Sequence, residues 1–210
     1  MDKWTRVQAV AVPMMQPNID TGQMAPVFVS RASAKSWGER LFANQRYDLE
    51  GEDVADFVLN QPRYREAKIL VAGRNFGCGS SRETAVWCLA GYGFRCVIAP
   101  SFGEIFYDNA FQNGLLLIIR PEDEVHAIAV ALEQAVMPEL TVDLESCHIT
   151  LPGGGKRPFD LAAERRTALL EGLDELAILQ QHDQDMRDFR ERDRREHSWI
   201  YASAVGRPAA

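Results

Sequence analysis

Short apolar runs alternate with longer stretches of mixed polarity along this chain, and between Lys68 and Val136 the alternation is regular. Lys68–Ala72, Arg95–Ala99 and Leu115–Ile119 are apolar runs of strand length. Each precedes a segment with helical character: Ser80–Ala90, Phe102–Asn113 and Glu122–Val136. Gly91 and Gly93 stop the first helix, Gly114 stops the second, and Pro121 opens the third. This order predicts parallel strands joined by right-handed crossovers. The strands are continuously apolar rather than alternating, which predicts a sheet covered on both faces.

The flanks are less regular. Val7–Val12 predicts a first strand, Met14–Ala25 a loop, Val27–Val29 a short strand or turn, and Lys35–Phe42 a short helix. Tyr47–Tyr64 is mixed and is broken by Pro62. Leu140–Leu144 and Cys147–Leu151 predict an antiparallel pair, with LPGGGKRPF as its turn. That turn lacks the spaced glycine and the Ser or Thr of a phosphate loop. Leu161–Leu170 predicts a helix ended by Gly172, and Asp174–Trp199 a long, charged, solvated helix. The expectation is an α/β domain over 1–172 with a mostly parallel central sheet, followed by a C-terminal helical extension over 173–210.

Composition narrows the class. The chain has 210 residues, 46% apolar and 25% charged, enough for one sizeable globular domain. It holds no apolar run of the ~18 residues a membrane helix needs. The start, MDKWTRVQAVAVPMM, lacks the pattern of a secretory signal, so the expected location is cytoplasmic. A net charge of −7 argues against nucleic acid as the main partner. The four cysteines, Cys78, Cys88, Cys96 and Cys147, form no C-x-x-C pair. A zinc or iron–sulfur site built by this chain alone is therefore not expected, and most of the thiols are expected to be buried. His126, His148, His182 and His197 show no ligand spacing and read as surface or structural residues. Arg63 and Arg65 are expected to face a partner or solvent.

The densest chemistry lies in NFGCGSSRE, Asn75 to Glu83, at a strand-to-helix corner. Glycines at 73, 77 and 79 let the backbone turn tightly and approach a ligand. A helix starting near Ser80 offers unpaired amides and the positive end of its dipole. Such a corner at the carboxyl end of a parallel strand is where ligands of these sheets bind, and anions suit it. Arg82 adds a planar fork for a carboxylate or phosphate, and Ser80 and Ser81 add hydroxyls. A plainer reading makes Ser80 an N-cap and Glu83 its capping-box partner, which leaves Ser81 and Arg82 unexplained. Dinucleotide binding fits poorly. Arginine stands where a third glycine belongs, and the strand Arg95–Ala99 runs into Pro100-Ser101 rather than an acid.

GRNFGCGSSRE followed by GYGFRCVIAPSFGEIFYDNAFQNGLLLI resembles the small subunits of 3-isopropylmalate dehydratase, the family of the swivelling domain of aconitase. NIDTGQMAP, VLNQPRYREAKIL, LTVDLE and GLDELAILQQH extend the resemblance over most of the chain. It implies an aconitase-like swivelling β/β/α domain. It also implies a hydro-lyase that dehydrates and rehydrates 2-isopropylmalate to 3-isopropylmalate in leucine biosynthesis. The partner it implies is a large subunit that carries the four-iron four-sulfur cluster. Ser80 matches the general base, Ser81 and Arg82 match carboxylate ligands, and Asp20 and Thr21 in NIDTGQ match active-site positions. Gly79 admits the substrate, and Arg31 falls in the region of the family's specificity loop.

Three positions depart from the family pattern. Gly22 stands where Asp-Thr-Asp has its second carboxylate, and Thr84 replaces the histidine of Ser-Arg-Glu-His. Ala34-Lys35-Ser36-Trp37-Gly38 stands where Arg-Thr-Gly-Phe-Gly is common. Ser80, Ser81 and Arg82 are all present. The resemblance therefore implies retained chemistry, on 2-isopropylmalate or on another alkyl malate such as 2-methylmalate or dimethylmalate. The reading of the corner by itself also admits a non-catalytic dicarboxylate-binding module.

Overall fold

A computed structural model of the chain describes residues 1–27, 36–79 and 83–201. Two compact units divide it, Met1–Gly172 and Leu173–Ala210.

In the first unit a seven-stranded sheet has the order β4-β3-β2-β1-β5-β6-β7. Its strands are β1 Arg6–Met14, β2 Ile69–Ala72, β3 Cys96–Ala99, β4 Leu116–Ile119, β5 Glu139–Asp143, β6 His148–Thr150 and β7 Lys156–Pro158. The pairings β1–β2, β2–β3 and β3–β4 are parallel, as the strand–helix alternation predicts. Every residue of β2 and β3 is buried, so both faces of this half are covered. The other half is antiparallel, and β5 alternates with Leu140 and Val142 inward.

β1 joins the two halves. Arg6–Val10 pairs with β5, and Ala11–Met14 pairs with β2. The strand is longer than Val7–Val12 because its ends are fixed by two different neighbours. Cys147, at φ 53, lies in the short turn between β5 and β6. The LPGGGKRPF stretch is not the turn of that pair. It joins β6 to β7, whose Lys-Arg-Pro sequence carries no strand signal and is set by pairing with β6.

The helices of this unit are α1 Thr21–Met24, α2 Trp37–Arg40, α3 Ala43–Arg46, α4 Thr84–Tyr92, α5 Glu104–Gln112, α6 Glu122–Gln134 and α7 Ala163–Glu171, with one 3₁₀ turn at Val58–Asn60. α4 stops at Gly93, φ +117, whose N–H reaches the carbonyls of Leu89 and Ala90. α6 buries Val125, Ile128, Ala129 and Leu132, one face at helical spacing, and carries three acids in its first turn. Arg63 donates to the carbonyls of Leu132, Glu133 and Ala135 and so closes the other end of α6. Arg65 pairs with Asp53 at 2.6 Å. Both arginines remain exposed, as expected, and make these intramolecular contacts as well.

α2 and α4 touch backbone to backbone. A Cβ on Gly38 would lie 2.4 Å from the carbonyl oxygen of Gly91, and one on Gly91 would lie 2.9 Å from the nitrogen of Gly38. Trp37 and Trp87 pack beside this crossing with ring centroids 5.2 Å apart. Arg46 reinforces the same region, donating to Gly38 and Leu41 carbonyls and lying over the rings of Tyr47 and Tyr92.

Among its described residues the second unit holds three helices, α8 Glu175–Gln181, α9 Asp183–Glu196 and α10 Ser198–Tyr201, rather than one long helix. Asp174 caps α8 by accepting from the Ala177 amide at 2.8 Å. α9 buries no residue and is laced by same-helix pairs such as Arg187–Asp183. Asp193 accepts from Tyr201 and contacts His197, and these bonds hold its carboxyl below the usual range.

Gly38→Ala or Gly91→Ala forces a methyl into the α2–α4 crossing and is expected to cost about 1–3 kcal/mol. Urea unfolding checks this: the midpoint falls with an unchanged slope.

Candidate functional site

The glycine-rich corner follows β2 and is gripped on both sides by backbone bonds. On one side runs the segment after β1. The Asn18 amide donates to the Arg74 carbonyl at 2.9 Å, Gly77 to Ile19 at 2.8 Å, and Thr21 to Cys78 at 2.9 Å. These three rungs continue the parallel β1–β2 pairing beyond the sheet. On the other side runs the segment after β3. The Phe76 amide donates to the Ser101 carbonyl at 3.0 Å, and Gly103 donates to Phe76 at 2.9 Å. The loops at the carboxyl ends of three adjacent parallel strands are thereby tied into one patch.

The glycines are needed for this close approach. A Cβ on Gly73 would sit 2.5 Å from the Met15 carbonyl oxygen, and one on Gly77, φ +75, would sit 2.3 Å from the Phe106 ring. Phe76 is buried and packs edge-on against Phe102 and Phe106, which anchors the corner to α5.

The ladder brings two predicted site segments together. The Cβ position of Gly79 is 3.5 Å from Thr21 Oγ1 and 3.6 Å from Asp20 Cβ. Asp20 caps α1: its Oδ1 accepts the Gln23 amide at 2.8 Å, and Gln23 Oε1 accepts the Asp20 amide at 3.3 Å. The stretch expected as loop thus holds a capped helical turn, signalled by Asp-x-x-Gln. Thr21 is 5% exposed, so it sits in the wall rather than on the surface. A Cβ on Gly22 would stand 3.1 Å from Asp20 Oδ1, so a side chain there crowds the cap.

Ser80, Ser81, Arg82 and Arg31 lie outside the described residues, as does part of the expected Val27–Val29 element. Their flanks are described. Gly79 follows the last rung of the ladder at Cys78, and the Glu83 carbonyl accepts the Trp87 amide at 3.0 Å at the start of α4. The capping box expected of Ser80 and Glu83 falls partly outside the described residues. The Glu83 carboxylate accepts from Asn113 Nδ2 at 3.5 Å. Beyond 28–35 the chain resumes at Ser36, which caps α2 through a box with Glu39.

Sequence reading missed the residues that hold the corner: Asn18, Asn75, Ser101 and Gln23. Asn18 and Asn75 adopt left-handed φ of 58° and 57°, a turn role that asparagine favours. Their pairing is non-local and leaves no spacing signal.

Among the described residues, no three His, Cys, Asp or Glu side chains converge as a metal site. The thiols are separate. Cys88 and Cys96 are buried, and Cys78 and Cys147 are partly exposed. Burial lifts the Cys88 thiol to about 11, against a smaller downward pull from Arg40, and lifts Cys96 further still. No helix among the described residues is long and apolar enough to cross a membrane.

The family model of the aconitase C-terminal domain matches residues 1–123, which include the parallel strands and the glycine corner. The 3-isopropylmalate dehydratase small subunit of Ruegeria pomeroyi is 44% identical over 179 residues, 85% of this chain and 89% of that protein. That of Gluconobacter oxydans is 44% identical over 207 residues, 98% of this chain and 99% of that protein. The crystal structure of 3-isopropylmalate dehydratase from Methanocaldococcus jannaschii shares the fold, with a TM-score of 0.61 and 24% identity over 87% of this chain and 98% of that one. The chain belongs to the family of 3-isopropylmalate dehydratase small subunits.

Raised thiol pKa values mean that Cys88 and Cys96 stay protonated and unreactive well above neutral pH. Alkylation of the native chain at about pH 8, read by peptide mass, is expected to label Cys78 and Cys147 and to spare Cys88 and Cys96 until denaturant is added.

Proposed function

We propose that this chain is the substrate-side half of a cytoplasmic hydro-lyase. With a large subunit, it isomerises 2-isopropylmalate to 3-isopropylmalate by dehydration and rehydration, a step of leucine biosynthesis. The observation that carries this reading is the ladder that sets Asp20 and Thr21 against Gly79, immediately before Ser80-Ser81-Arg82. Kinship with small subunits of that name over nearly the whole chain supports the same reading.

In this account the four-iron four-sulfur cluster belongs to the large subunit and supplies the Lewis acid that assists departure of the substrate hydroxyl. Ser80 Oγ acts as the base that takes the proton from the carbon next to the hydroxyl-bearing one. A free serine is far too weak an acid to ionise at neutral pH. The amides opening α4 and the Arg82 guanidinium favour its anionic form. Ser81 and Arg82 hold a substrate carboxylate, with the arginine fork fixing its plane. Gly79 keeps the approach clear, and Thr21 and Asp20 form the adjoining wall. Arg31 contributes to the specificity region. Return of the proton and hydroxyl to exchanged carbons completes the isomerisation.

The reconstituted pair, followed through the conjugated alkylmaleate intermediate, tests the roles. Ser80→Ala is expected to lower kcat by about 10²-fold or more, whereas Arg82→Lys mainly raises KM. Full turnover in Ser80→Ala removes it as the base. Faster conversion of 2-methylmalate than of 2-isopropylmalate overturns the substrate assignment.

A further inference from the structure

The strongest feature that the reaction itself does not use is a side-chain bond at the outer end of the ladder. Asn75 Nδ2 donates to Asn18 Oδ1 at 2.8 Å. Both residues sit in the left-handed region, one in the segment after β1 and one in the segment after β2. The Asn75 amide also donates to Ser101 Oγ at 2.8 Å, which ties in the segment after β3. Asn75 is therefore a junction of all three loops at the carboxyl ends of the parallel strands.

Its placement suggests why a junction is needed. The ladder carries three backbone rungs, and its inner end stops at Cys78, just before Gly79, φ +102, which has no side chain to pack. Gly77 lies between, also at positive φ. Buried Phe76 holds the middle of the segment, but past it Gly77 and Gly79 contribute no side chain of their own to fix how Cys78 and Gly79 lie against Thr21. A slip of one residue would separate Asn18 from Asn75 and move Gly79 away from Thr21. Asn18 is two residues from Asp20, and Asn75 is four residues from Gly79. An error at the clasp is thus delivered directly to the groups facing the substrate.

We infer that the Asn75-to-Asn18 bond is a positioning clasp. It sets the register between the Asp20–Thr21 wall and Gly79, the residue before those to which the proposed function assigns the base and the carboxylate ligands. The inference rests on the functional reading above. Asn75 is the donor and Asn18 the acceptor.

The chemistry of the pair gives a discriminating experiment. A side-chain amide can present either its oxygen or its Nδ2, so Asn18→Asp and Asn75→Asp each leave one amide donor facing one carboxylate, whereas the double aspartate variant leaves no donor. All of these residues tolerate left-handed φ. Asn18→Gly and Asn75→Gly keep the backbone conformation and delete the bond. In the complex with the large subunit, each single aspartate variant is expected to keep kcat/KM within about twofold. Asn75→Gly and Asn18→Gly are expected to lose about tenfold, with melting temperature and subunit affinity unchanged, and the double aspartate variant at least as much. The double glycine variant is expected to lose no more than either single one, because one bond is shared. In the isolated chain, amide exchange at Thr21 and Gly77 is expected to quicken in Asn75→Gly and not in Asn18→Asp. Wild-type turnover in Asn75→Gly, additive losses in the glycine pair, or losses that track a falling melting temperature overturn the clasp. A wild-type pair without turnover overturns the functional reading instead, and the exchange rates then decide the clasp alone.

Discussion

Three backbone hydrogen bonds between the segment after β1 and the segment after β2 are the constraint on which the rest depends. They extend a parallel pairing past the end of the sheet, where parallel strands usually diverge into crossovers. The consequence is chemical: a helix-capping aspartate and a buried threonine come to stand beside Gly79. Backbone bonds of this kind are individually worth only about 0.5–1.5 kcal/mol. They hold here because Phe76 is sunk into the core on one side and Ser101 and Gly103 bind on the other.

The scaffold around that constraint is divided by task. The parallel half, buried on both faces, fixes the directions in which three loops leave the sheet. The antiparallel half extends it and covers the N-terminal part of β1. On the helical side, glycine-to-glycine contact seats α2 on α4. That contact fixes the chain just beyond 28–35 against the helix that follows the corner. Sequence departures at Gly22 and around Trp37 therefore fall at structurally tight places: Gly22 leaves the Asp20 cap uncrowded, and Trp37 packs at a tilt against Trp87.

Much of the parallel half was legible in the sequence, because its strands are short apolar runs punctuated by glycine and proline. The tight turn after β2 was legible too, since the glycines at 73, 77 and 79 announce close backbone approach. Lys156–Pro158 was not, because an edge strand of Lys, Arg and Pro is set by its neighbour and not by its own preference. The break of the charged tail at His182 has no glycine or proline to announce it. Asp20 was read as a site residue, and its capping duty was overlooked because Pro17, Asn18 and Gly22 suggested an unstructured loop. Asn18 and Asn75 are 57 positions apart, and no local pattern predicts that they meet.

The account holds that this chain builds one wall of an active site and that the remainder arrives with a partner. The most direct test is a complementation titration: a fixed amount of cluster-loaded large subunit, increasing amounts of this chain, and turnover of 2-isopropylmalate as the readout. The account predicts no turnover by either component alone and a rise to a plateau near equal molar amounts. Turnover by the large subunit alone, or a flat response to this chain, would contradict it.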